Sequence, residues 1–476
     1  MKYTHTDSFY IGGAWVPPLA KESFPVVDPS TEETIATLAM GGPADVDAAV
    51  AAAKAAFPAW SATSLDERLA IIARIQKIYE RRYEDMAQTI SAEMGAPIAF
   101  SRDEQAAVGL SIVEGAVAAA KTFEFERTLP NGDHVVHAPI GVVGMITPWN
   151  WPINQIVLKV VPALIAGCTM VLKPSELTPL SAILYAEILH EAGLPAGVFN
   201  LVHGEGPVVG AALSRHPDVA MMSFTGSHRG GTAVSIDSAP TVKRVALELG
   251  GKSPNLIFAD ADLEEAVSNG VYAVAANTGQ SCDAPSRMLV EASAFDQAVE
   301  IARRTAEDIA VGPASEEGEH IGPLAHKLQF DRVQAMIKAG LDEGARLVAG
   351  GLGRPDGLDK GYYVKPTIFA DVTPDMRIVR EEIFGPVLVM LPFETEEEAI
   401  AMANDTTYGL SSYISSGSSE RIARVARRLE AGMVNVNGGF LAAGSPFGGY
   451  KQSGNGREGG ELGIAEFLET KVITAF

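Results

Sequence analysis

Apolar side chains recur at helical spacing in the N-terminal part of the chain. Between residues 43 and 95 they return every three or four positions, Ile72 among them, and this period predicts helices with one buried face. Ser64 followed by Glu67 is the capping-box signature of a helix start. Gly95 predicts a helix end, because glycine readily adopts the left-handed conformation found there.

The pattern changes to strict alternation at residues 121–140. Two alternating runs, FEFERTL and HVVHAPI, flank the segment PNGD. A Pro-Asn-Gly turn between alternating runs predicts a β-hairpin. Because this hairpin lies between a helical region and a region of alternating strands and helices, we expect it to form an arm.

From residue 140 onward, apolar runs alternate with amphipathic stretches. Strands that alternate with helices predict a parallel, doubly wound sheet. A second alternating series begins near Pro254, and the tail KVITAF predicts a final strand. The predicted fold class is therefore α/β, with two lobes and an arm. The runs in chain order are VVGMI, MVLK, VFNLV and VAMMSF, then PNLIF, MLVE and ARLVAG.

Composition and charge narrow the class of protein. The 476 residues are 47% hydrophobic and 20% charged, with a formal net charge of −22. This composition predicts a globular chain of two or three domains. A surface this acidic repels phosphate backbones and anionic lipid, so neither nucleic acid nor a membrane is an expected partner.

Cysteine usage and hydropathy predict a cytoplasmic protein. The two cysteines cannot form a disulfide framework, and without a CxxC motif or a His-rich tract no metal site is expected. The N-terminus lacks the apolar run of a secretory signal. Prolines and asparagines repeatedly interrupt the apolar stretch at 138–172, which argues against a membrane span. A reducing compartment fits these features.

The two cysteines differ in their surroundings. Cys282 follows a helix that Asp262 caps and Gly279 ends, and its neighbours are small and polar. An accessible thiol on a tight connection is a candidate nucleophile, although most lone cysteines are structural. Cys168 lies in the apolar segment LIAGCTMVL and is predicted to be an inert core thiol.

Two further polar residues stand in unusual contexts. Glu248 lies in the apolar run VALELGG, where desolvation would raise its pKa toward the range of a general base. The alternative is an outward residue at a strand end. Asn150, between two tryptophans in TPWNWP, could donate a hydrogen bond to an oxyanion, or simply form a turn. Gly250 and Gly251 predict a close backbone approach.

Several segments could bind phosphate or ribose groups. Residues 454–459 contain the strict GxGxxG spacing, but no strand precedes them and too few residues follow for a βαβ unit. A better candidate is SFTGSHRGG at 223–231, where a predicted strand leads into amides at a helix start. A plain glycine-rich turn is the alternative. Lys173 and Glu176, after another predicted strand, could reach ribose hydroxyls or lie at a solvated strand end.

Seven motifs together resemble the aldehyde dehydrogenase superfamily, in its order and spacing over nearly the whole chain. They are TPWNWP, VLKPSE, FTGS, LELGGKSPN, NTGQSCDAPSR, EEIFGPV and PFGGYKQSGNGRE. The resemblance implies a Rossmann-like cofactor domain at 1–120 and 141–249 and a catalytic domain at 250–445. It further implies an oligomerisation element at 121–140 and 460–476 that joins subunits into a homodimer or homotetramer.

The resemblance also implies the catalytic roles. Cys282 matches the nucleophile that forms a thiohemiacetal and then a thioester. Asn150 and the Cys282 backbone N–H would hold the oxyanion. Glu248 would activate the hydrolytic water, and Glu461 matches a second glutamate near the proton exit. The implied reaction is oxidation of an aldehyde to a carboxylic acid. An acylating, coenzyme A-dependent enzyme and a catalytically silent structural member are the alternatives.

A nicotinamide cofactor follows from the same resemblance. Glu176 would bond a ribose diol and repel a 2′-phosphate, which favours NAD, while Lys173 and Ser175 leave NADP open. The matched cofactor residues are Ile146, Thr147, Trp149, Lys173, Glu176, Gly206, Phe224, Thr225, Gly226, Ser227, Gly231, Leu249, Gly250, Glu382 and Phe384.

The positions matched to the aldehyde tunnel are apolar and aromatic with one acid. They favour uncharged aliphatic or aromatic aldehydes, and the lack of an arginine among them argues against semialdehydes that carry a carboxylate. These positions are Trp151, Leu158, Ser281, Asp283 and Phe447.

Overall fold

The computed structural model describes residues 3–475, so Met1, Lys2 and Phe476, at the ends of the predicted domains, lie outside the described residues. Within 3–475 no helix is long and apolar enough to cross a membrane. The same residues contain no cluster of three or more His, Cys, Asp or Glu side chains suited to a metal ion.

Helices form most of the N-terminal region, as the apolar period predicts. The capping box is confirmed, since Ser64 Oγ accepts from Glu67 N and the Glu67 carboxylate accepts from Ser64 N. Gly95 ends a helix with a left-handed φ of 86°. The elements are strands β1 Phe9–Ile11, β2 Ala14–Val16, β3 Ser23–Asp28 and β4 Glu33–Ala39, and helices α1 Pro43–Ser61, α2 Leu65–Arg81, α3 Tyr83–Met94, α4 Ile98–Phe100 and α5 Ala107–Thr122, the last preceded by a π-helical turn at Ser101–Ala106.

The arm and the C-terminal tail form one antiparallel sheet. The predicted hairpin is confirmed as β5 Glu126–Thr128 and β6 His134–Pro139, and the tail contributes the predicted strand, β20 Leu468–Ile473. Strand β20 forms pairs along the whole of β6, with Leu468 opposite Pro139 and Ile473 opposite His134. Segments more than three hundred residues apart in sequence therefore build the arm together.

The first large sheet has five parallel strands at its centre. Its elements are β7 Val142–Ile146, α6 Pro152–Ala166, β8 Thr169–Lys173, α7 Leu180–Glu191, β9 Phe199–Leu201, α8 Ala211–Arg215, β10 Met221–Thr225, α9 His228–Ser238, β11 Arg244–Glu248 and β19 Gly454–Asn455. The strand order is β19-β11-β10-β7-β8-β9-β1-β2. Along the chain, β8 and β9 are thus added on one side of β7, and β10 and β11 are then added on its other side. A crevice opens at such a switch point, beyond the carboxyl ends of the strands.

The second large sheet is parallel except at one edge, where β14 runs antiparallel to β15. Hydrophobic clusters cover both of its faces. Its strand order is β14-β15-β16-β13-β12-β17-β18. Its elements are β12 Pro254–Ile257, α10 Leu263–Ala275, β13 Arg287–Glu291, α11 Phe295–Asp308, α12 Lys327–Asp342, β14 Arg346–Ala349, β15 Thr367–Ala370, α13 Arg377–Arg380, β16 Val387–Phe393, α14 Glu396–Asn404, β17 Ser411–Ser415, α15 Ser419–Ala426 and β18 Met433–Val436, with α16 Gly460–Ala465 beyond it.

Candidate active site

Cys282 lies on the connection between α10 and β13. After α10 a short turn carries Asn277 and Thr278 in the left-handed region, with φ values of 50° and 55°. Side chains rarely adopt this conformation, so the surrounding contacts must hold it. Cys282 is half-buried. Burial raises the pKa of its thiol well above the ordinary value, and the nearby charge of Asp283 raises it further. Cys168 is fully buried, and burial raises its pKa to about 11.

A buried network of side-chain amides holds this connection. Asn150, 3% exposed, donates from Nδ2 to the carbonyl oxygen of Gln280 at 2.9 Å. The Asn150 carbonyl in turn accepts from Asn277 Nδ2 at 2.9 Å and Gln105 Nε2 at 3.1 Å. An amide nitrogen has two N–H groups, so Asn150 keeps a second donor. Asn277 and Gln280 belong to the motif NTGQSCDAPSR, although their pairing with Asn150 was not predicted, whereas Gln105 lies far from any motif and cannot be singled out from the sequence.

Glycines let the two sheets approach each other beside the cysteine. A Cβ at Gly251 would lie 2.4 Å from the Cys282 carbonyl oxygen, and one at Gly250 would lie 2.3 Å from the Glu382 carboxylate. Both distances are too short for any side chain. The close backbone approach predicted for the two glycines is therefore confirmed.

Glu248 is a buried acid at the end of β11. It is 5% exposed, and neither carboxylate oxygen has a hydrogen-bond partner among the described residues. Burial raises the pKa of Glu248 well above its ordinary value, and nearby Glu458 raises it further. The Glu248 charge also raises the pKa of the Cys282 thiol. The carboxylate lines a cavity of about 10 Å³, close to the smallest volume that holds one water.

Glu461 lies elsewhere, and its predicted role needs correction. It stands on α16, exposed to solvent, and accepts a hydrogen bond from Thr122 Oγ1 at 2.6 Å. Three residues earlier, Glu458 forms an ion pair with the fully buried Lys159 and lines the same small cavity as Glu248. Both glutamates belong to the segment GREGGEL, and spacing could not distinguish them. A turn at Gly459 points them to different sides.

The predicted cofactor residues gather at the switch point between β7 and β10. Ile146 ends β7 and Thr147 follows it, while Phe224 and Thr225 end β10. The hydroxyls of Thr147 and Thr225 are both buried without a hydrogen-bond partner in the described part of the chain. Unpaired buried hydroxyls at a switch point fit a polar ligand such as a dinucleotide.

The start of α9 offers an anion site beside these hydroxyls. Ser227 caps the helix by accepting from Gly230 N at 3.2 Å. A Cβ at Gly226 would lie 2.7 Å from the Phe224 ring, and one at Gly231 would lie 2.8 Å from Leu249. Glycines thus stand where the backbone passes close to these side chains, and the N-terminal end of a helix such as α9 can bind a phosphate. By contrast, a side chain at Gly206 would meet nothing within 4 Å.

Lys173 and Glu176, predicted to contact a ribose, lie at the end of β8 and just after it. Lys173 Nζ lies 3.0 Å from Glu176 Oε2 and donates to the Pro174 carbonyl at 2.8 Å. Lys173 is buried, whereas Glu176 is half-buried. The lysine therefore orients a carboxylate that can still accept hydrogen bonds from a diol.

The opposite end of the crevice belongs to the second sheet. Glu382 accepts from Gly251 N at 3.0 Å, and burial raises its pKa. Phe384 has a left-handed φ of 61° and meets Trp149 edge-on at 5.5 Å. Gln329 donates to the carbonyl oxygen of Phe384 at 2.7 Å, which fixes this strained turn. Gln329 carries no motif and is not predictable from the sequence.

Two cavities lie near the cysteine loop, and the larger of them borders both neighbours of Cys282. The larger, about 830 Å³, is lined by four of the predicted tunnel residues: Trp151, Ser281, Asp283 and Phe447. The second, about 400 Å³, is lined by Phe447 and by the fifth, Leu158. Trp151 Nε1 donates to Ser281 Oγ at 2.8 Å, which ties the wall of the larger cavity to the cysteine loop.

Comparisons with known proteins agree on one family. The family model described as "Aldehyde dehydrogenase family" matches residues 15–473. The chain is 52% identical over 469 residues to a 3-succinoylsemialdehyde-pyridine dehydrogenase from a Pseudomonas species, and 98% of each chain is covered.

Solved structures are equally similar. An aldehyde dehydrogenase from Bartonella henselae has a TM-score of 0.98 at 54% identity, with 99% of each chain covered. A cysteine-to-alanine mutant of aldehyde dehydrogenase C from Pseudomonas syringae, in complex with NAD+ and octanal, has a TM-score of 0.98 at 50% identity, and the match covers 100% of this chain and 98% of that one. An NAD+ complex of an aldehyde dehydrogenase from Bacillus cereus has a TM-score of 0.95 at 39% identity, with 98% of this chain and 96% of that one covered.

Proposed function

This chain belongs to the aldehyde dehydrogenase family, and from that premise we propose that it oxidises an aldehyde to its carboxylic acid, with Cys282 as nucleophile and NAD as cofactor. The observation that carries the proposal is the position of Cys282. Both of its neighbours, Ser281 and Asp283, line a cavity of about 830 Å³, and its backbone carbonyl packs closely against Gly251, next to the proposed cofactor residues Leu249 and Gly250.

The first step is loss of the Cys282 thiol proton to a water molecule and attack of the resulting thiolate on the aldehyde carbon. A carbon–sulfur bond forms, and the carbonyl π electrons move to oxygen as a thiohemiacetal anion. The free N–H of Asn150 and the backbone N–H of Cys282 donate to this oxygen. Because the amide network holds Asn150 in place, little reorganisation is needed. Loss of one such donor costs roughly 3–4 kcal/mol of transition-state stabilisation.

When bound, NAD supplies the acceptor for the hydride that leaves the substrate carbon. The chain's own residues bind and orient it. Thr147, Thr225 and the start of α9 face its phosphates, and Glu176 accepts from its adenine ribose. Glu382 and Phe384 position the nicotinamide half. The mouth of the crevice at the switch point is the expected location for such a ligand.

Hydrolysis of the Cys282 thioester is the task of Glu248. Its unpaired oxygens can accept a proton from a water as that water attacks the acyl carbon. Burial raises its pKa and so makes the carboxylate a stronger base. The small cavity leads on to Glu458 and Lys159, which provide the path by which the proton leaves. In this scheme Glu458 takes the role first expected for Glu461.

A product assay tests the function directly. Purified protein is mixed with octanal, benzaldehyde or a pyridine-bearing aldehyde, together with NAD. We expect equal amounts of NADH and free acid. The choice of probes follows the names of the similar proteins, which mention octanal and a succinoylsemialdehyde-pyridine. NADH formation without acid, or no NADH from any aldehyde, would overturn the proposal.

Glu176 sets the preference for NAD over NADP. We expect Glu176→Gln to raise kcat/KM with NADP relative to NAD by about tenfold, because the carboxylate that repels a 2′-phosphate is removed while Lys173 remains. Steady-state kinetics with both cofactors measures the ratio. Glu114→Gln removes the same charge from an exposed position on α5 and should leave the ratio unchanged. An unaltered ratio in the Glu176 variant would contradict the assignment.

The domain limits and the oligomerisation element remain part of this proposal. The arm presents β20 as an edge strand whose Val472 and Ile473 are 57% and 40% exposed. An exposed apolar edge is a template for pairing with another chain, so we expect a homodimer or homotetramer joined there. Val472→Lys with Ile473→Glu should yield a smaller species by light scattering. Unchanged mass in that double variant, compared with Glu114→Gln, would exclude this edge.

A further inference from the structure

The two cavities beside Cys282 form one approach to the thiol. They share three lining residues, Glu104, Leu441 and Phe447. Their volumes, about 830 and about 400 Å³, are those of ligand sites, which commonly fall near 300–1,000 Å³. A substrate with its aldehyde at Cys282 therefore extends its other end along this shared wall.

The charged residues on the walls are all acids. Neither cavity is lined by a Lys, Arg or His, and none of the acids forms an ion pair within residues 3–475. Elsewhere the acids are often paired, as Glu264 is with Arg304 just outside the wall. The acidic lining residues are Asp103, Glu104, Asp262, Glu265 and Asp283.

A buried amide on the same wall also lacks a partner. Asn255 is 4% exposed and lines the larger cavity, yet its side chain makes no hydrogen bond to any described residue. Gly270 faces it, and a Cβ there would lie 2.6 Å from Asn255 Nδ2. Because Asn255 borders the cavity, its amide can hydrogen-bond a polar ligand there.

Aromatic rings line the path between the outer acids and the thiol. Trp151 and Phe100 pack with ring centroids 5.7 Å apart, and Tyr413 and Phe447 complete the wall. Tyr413 also donates to the backbone carbonyl of Asp283 at 3.1 Å. Aromatic faces attract organic cations and repel anions. The acidic side chains and the aromatic rings therefore both favour a positively charged ligand.

Building on the proposed aldehyde oxidation, we infer that the preferred substrates are aldehydes whose far end carries a positively charged nitrogen. Asp283 attracts this charge near the thiol, and Asp103 and Glu104 attract it at the shared wall. The expectation from the sequence, uncharged aldehydes, rested on matched positions that are apolar and aromatic, with Asp283 as their single acid. Folding adds the acids of the π-helical turn Ser101–Ala106, which lies far from the motifs in the chain.

Three aldehydes of similar size test this inference. 4-Trimethylammoniobutanal carries the cation, 5,5-dimethylhexanal replaces its nitrogen by carbon, and 5-oxopentanoate carries an anion. The quaternary nitrogen cannot cyclise onto the aldehyde as a primary amine would. We expect kcat/KM for the cation to exceed that for its carbon analogue by about tenfold or more, because partly buried charges attract at low effective dielectric. The anion should be the poorest substrate.

Variants locate the preference on named acids. Asp283→Asn should lower the ratio of cation to carbon analogue by about tenfold, and exposed Glu104→Gln by about threefold, since solvent screens the latter. The losses should appear mainly in KM, as expected when a remote contact contributes equally to ground and transition states. A ratio cancels any effect of Asp283 on the nucleophile, because that effect is common to both aldehydes. Glu114→Gln, outside both walls, should leave the ratio unchanged.

The outcomes separate this inference from the function on which it rests. If 5,5-dimethylhexanal is oxidised as well as or better than its cationic analogue, or if both acid variants keep the wild-type ratio, the inference is overturned while aldehyde oxidation stands. If none of the aldehydes, charged or neutral, yields NADH, the proposed function itself fails.

Discussion

Cys282→Ala is expected to lose aldehyde oxidation by a factor on the order of 10⁴ or more, the scale seen when a covalent nucleophile is removed. Without sulfur neither the thiohemiacetal nor the thioester can form. NAD affinity should be retained, because none of the proposed cofactor contacts lies on the loop that carries Cys282. Stopped-flow absorbance for NADH, with fluorescence titration for NAD, measures the two properties on one preparation.

The second cysteine provides the matched control. Cys168 is sealed in the core and donates to the Phe467 carbonyl oxygen at 3.3 Å, so Cys168→Ala should keep wild-type turnover. Iodoacetamide should inactivate the wild type by alkylating Cys282 alone. Since burial and Asp283 raise the pKa of Cys282, alkylation should still accelerate above about pH 8.5, where a free thiol has already begun to level off. A Cys282→Ala protein with more than about one per cent of wild-type turnover would exclude the covalent scheme.

Glu248→Gln is expected to separate oxidation from hydrolysis. The first turnover should release about one equivalent of NADH per subunit, because attack and hydride transfer do not require a base for water. Later turnovers should slow by about 10²–10⁴-fold, the usual contribution of a general base. Intact mass should show the acyl group retained on Cys282. A linear time course at the wild-type rate would contradict the role of Glu248.

The pH profile gives an independent signature of the same residue. Only the ionised carboxylate accepts a proton, and burial raises the pKa of Glu248. Steady-state kcat should therefore fall as the pH drops through this raised value, and the dependence should disappear in Glu248→Gln. Glu461→Gln is the control, since Glu461 is exposed and bonded to Thr122. We expect it to retain both the rate and the profile of the wild type.

Local sequence was enough for much of the fold. The capping box at Ser64, the stop at Gly95 and the hairpin at 121–140 depend on residues within a few positions of one another, and all three are confirmed. The alternation of strands and helices from residue 140 likewise predicted the parallel sheets. The sequence did not predict β19, a strand of two residues near the C-terminus that extends the first sheet beside β11. So short a strand has no pattern of its own.

At the active site, too, local sequence identifies some features and only tertiary contacts decide the others. Motifs identify Cys282, Asn150 and Glu248 as candidates because each stands in an unusual local context, which a linear sequence displays. The choice between Glu458 and Glu461, the amide partners of Asn150, and the acids facing the substrate could not be read in this way. Each depends on which side chains from distant segments meet after folding, and on how much water remains between them. The sequence thus determines which chemical groups are present, whereas packing determines their pKa values, their partners and their selectivity.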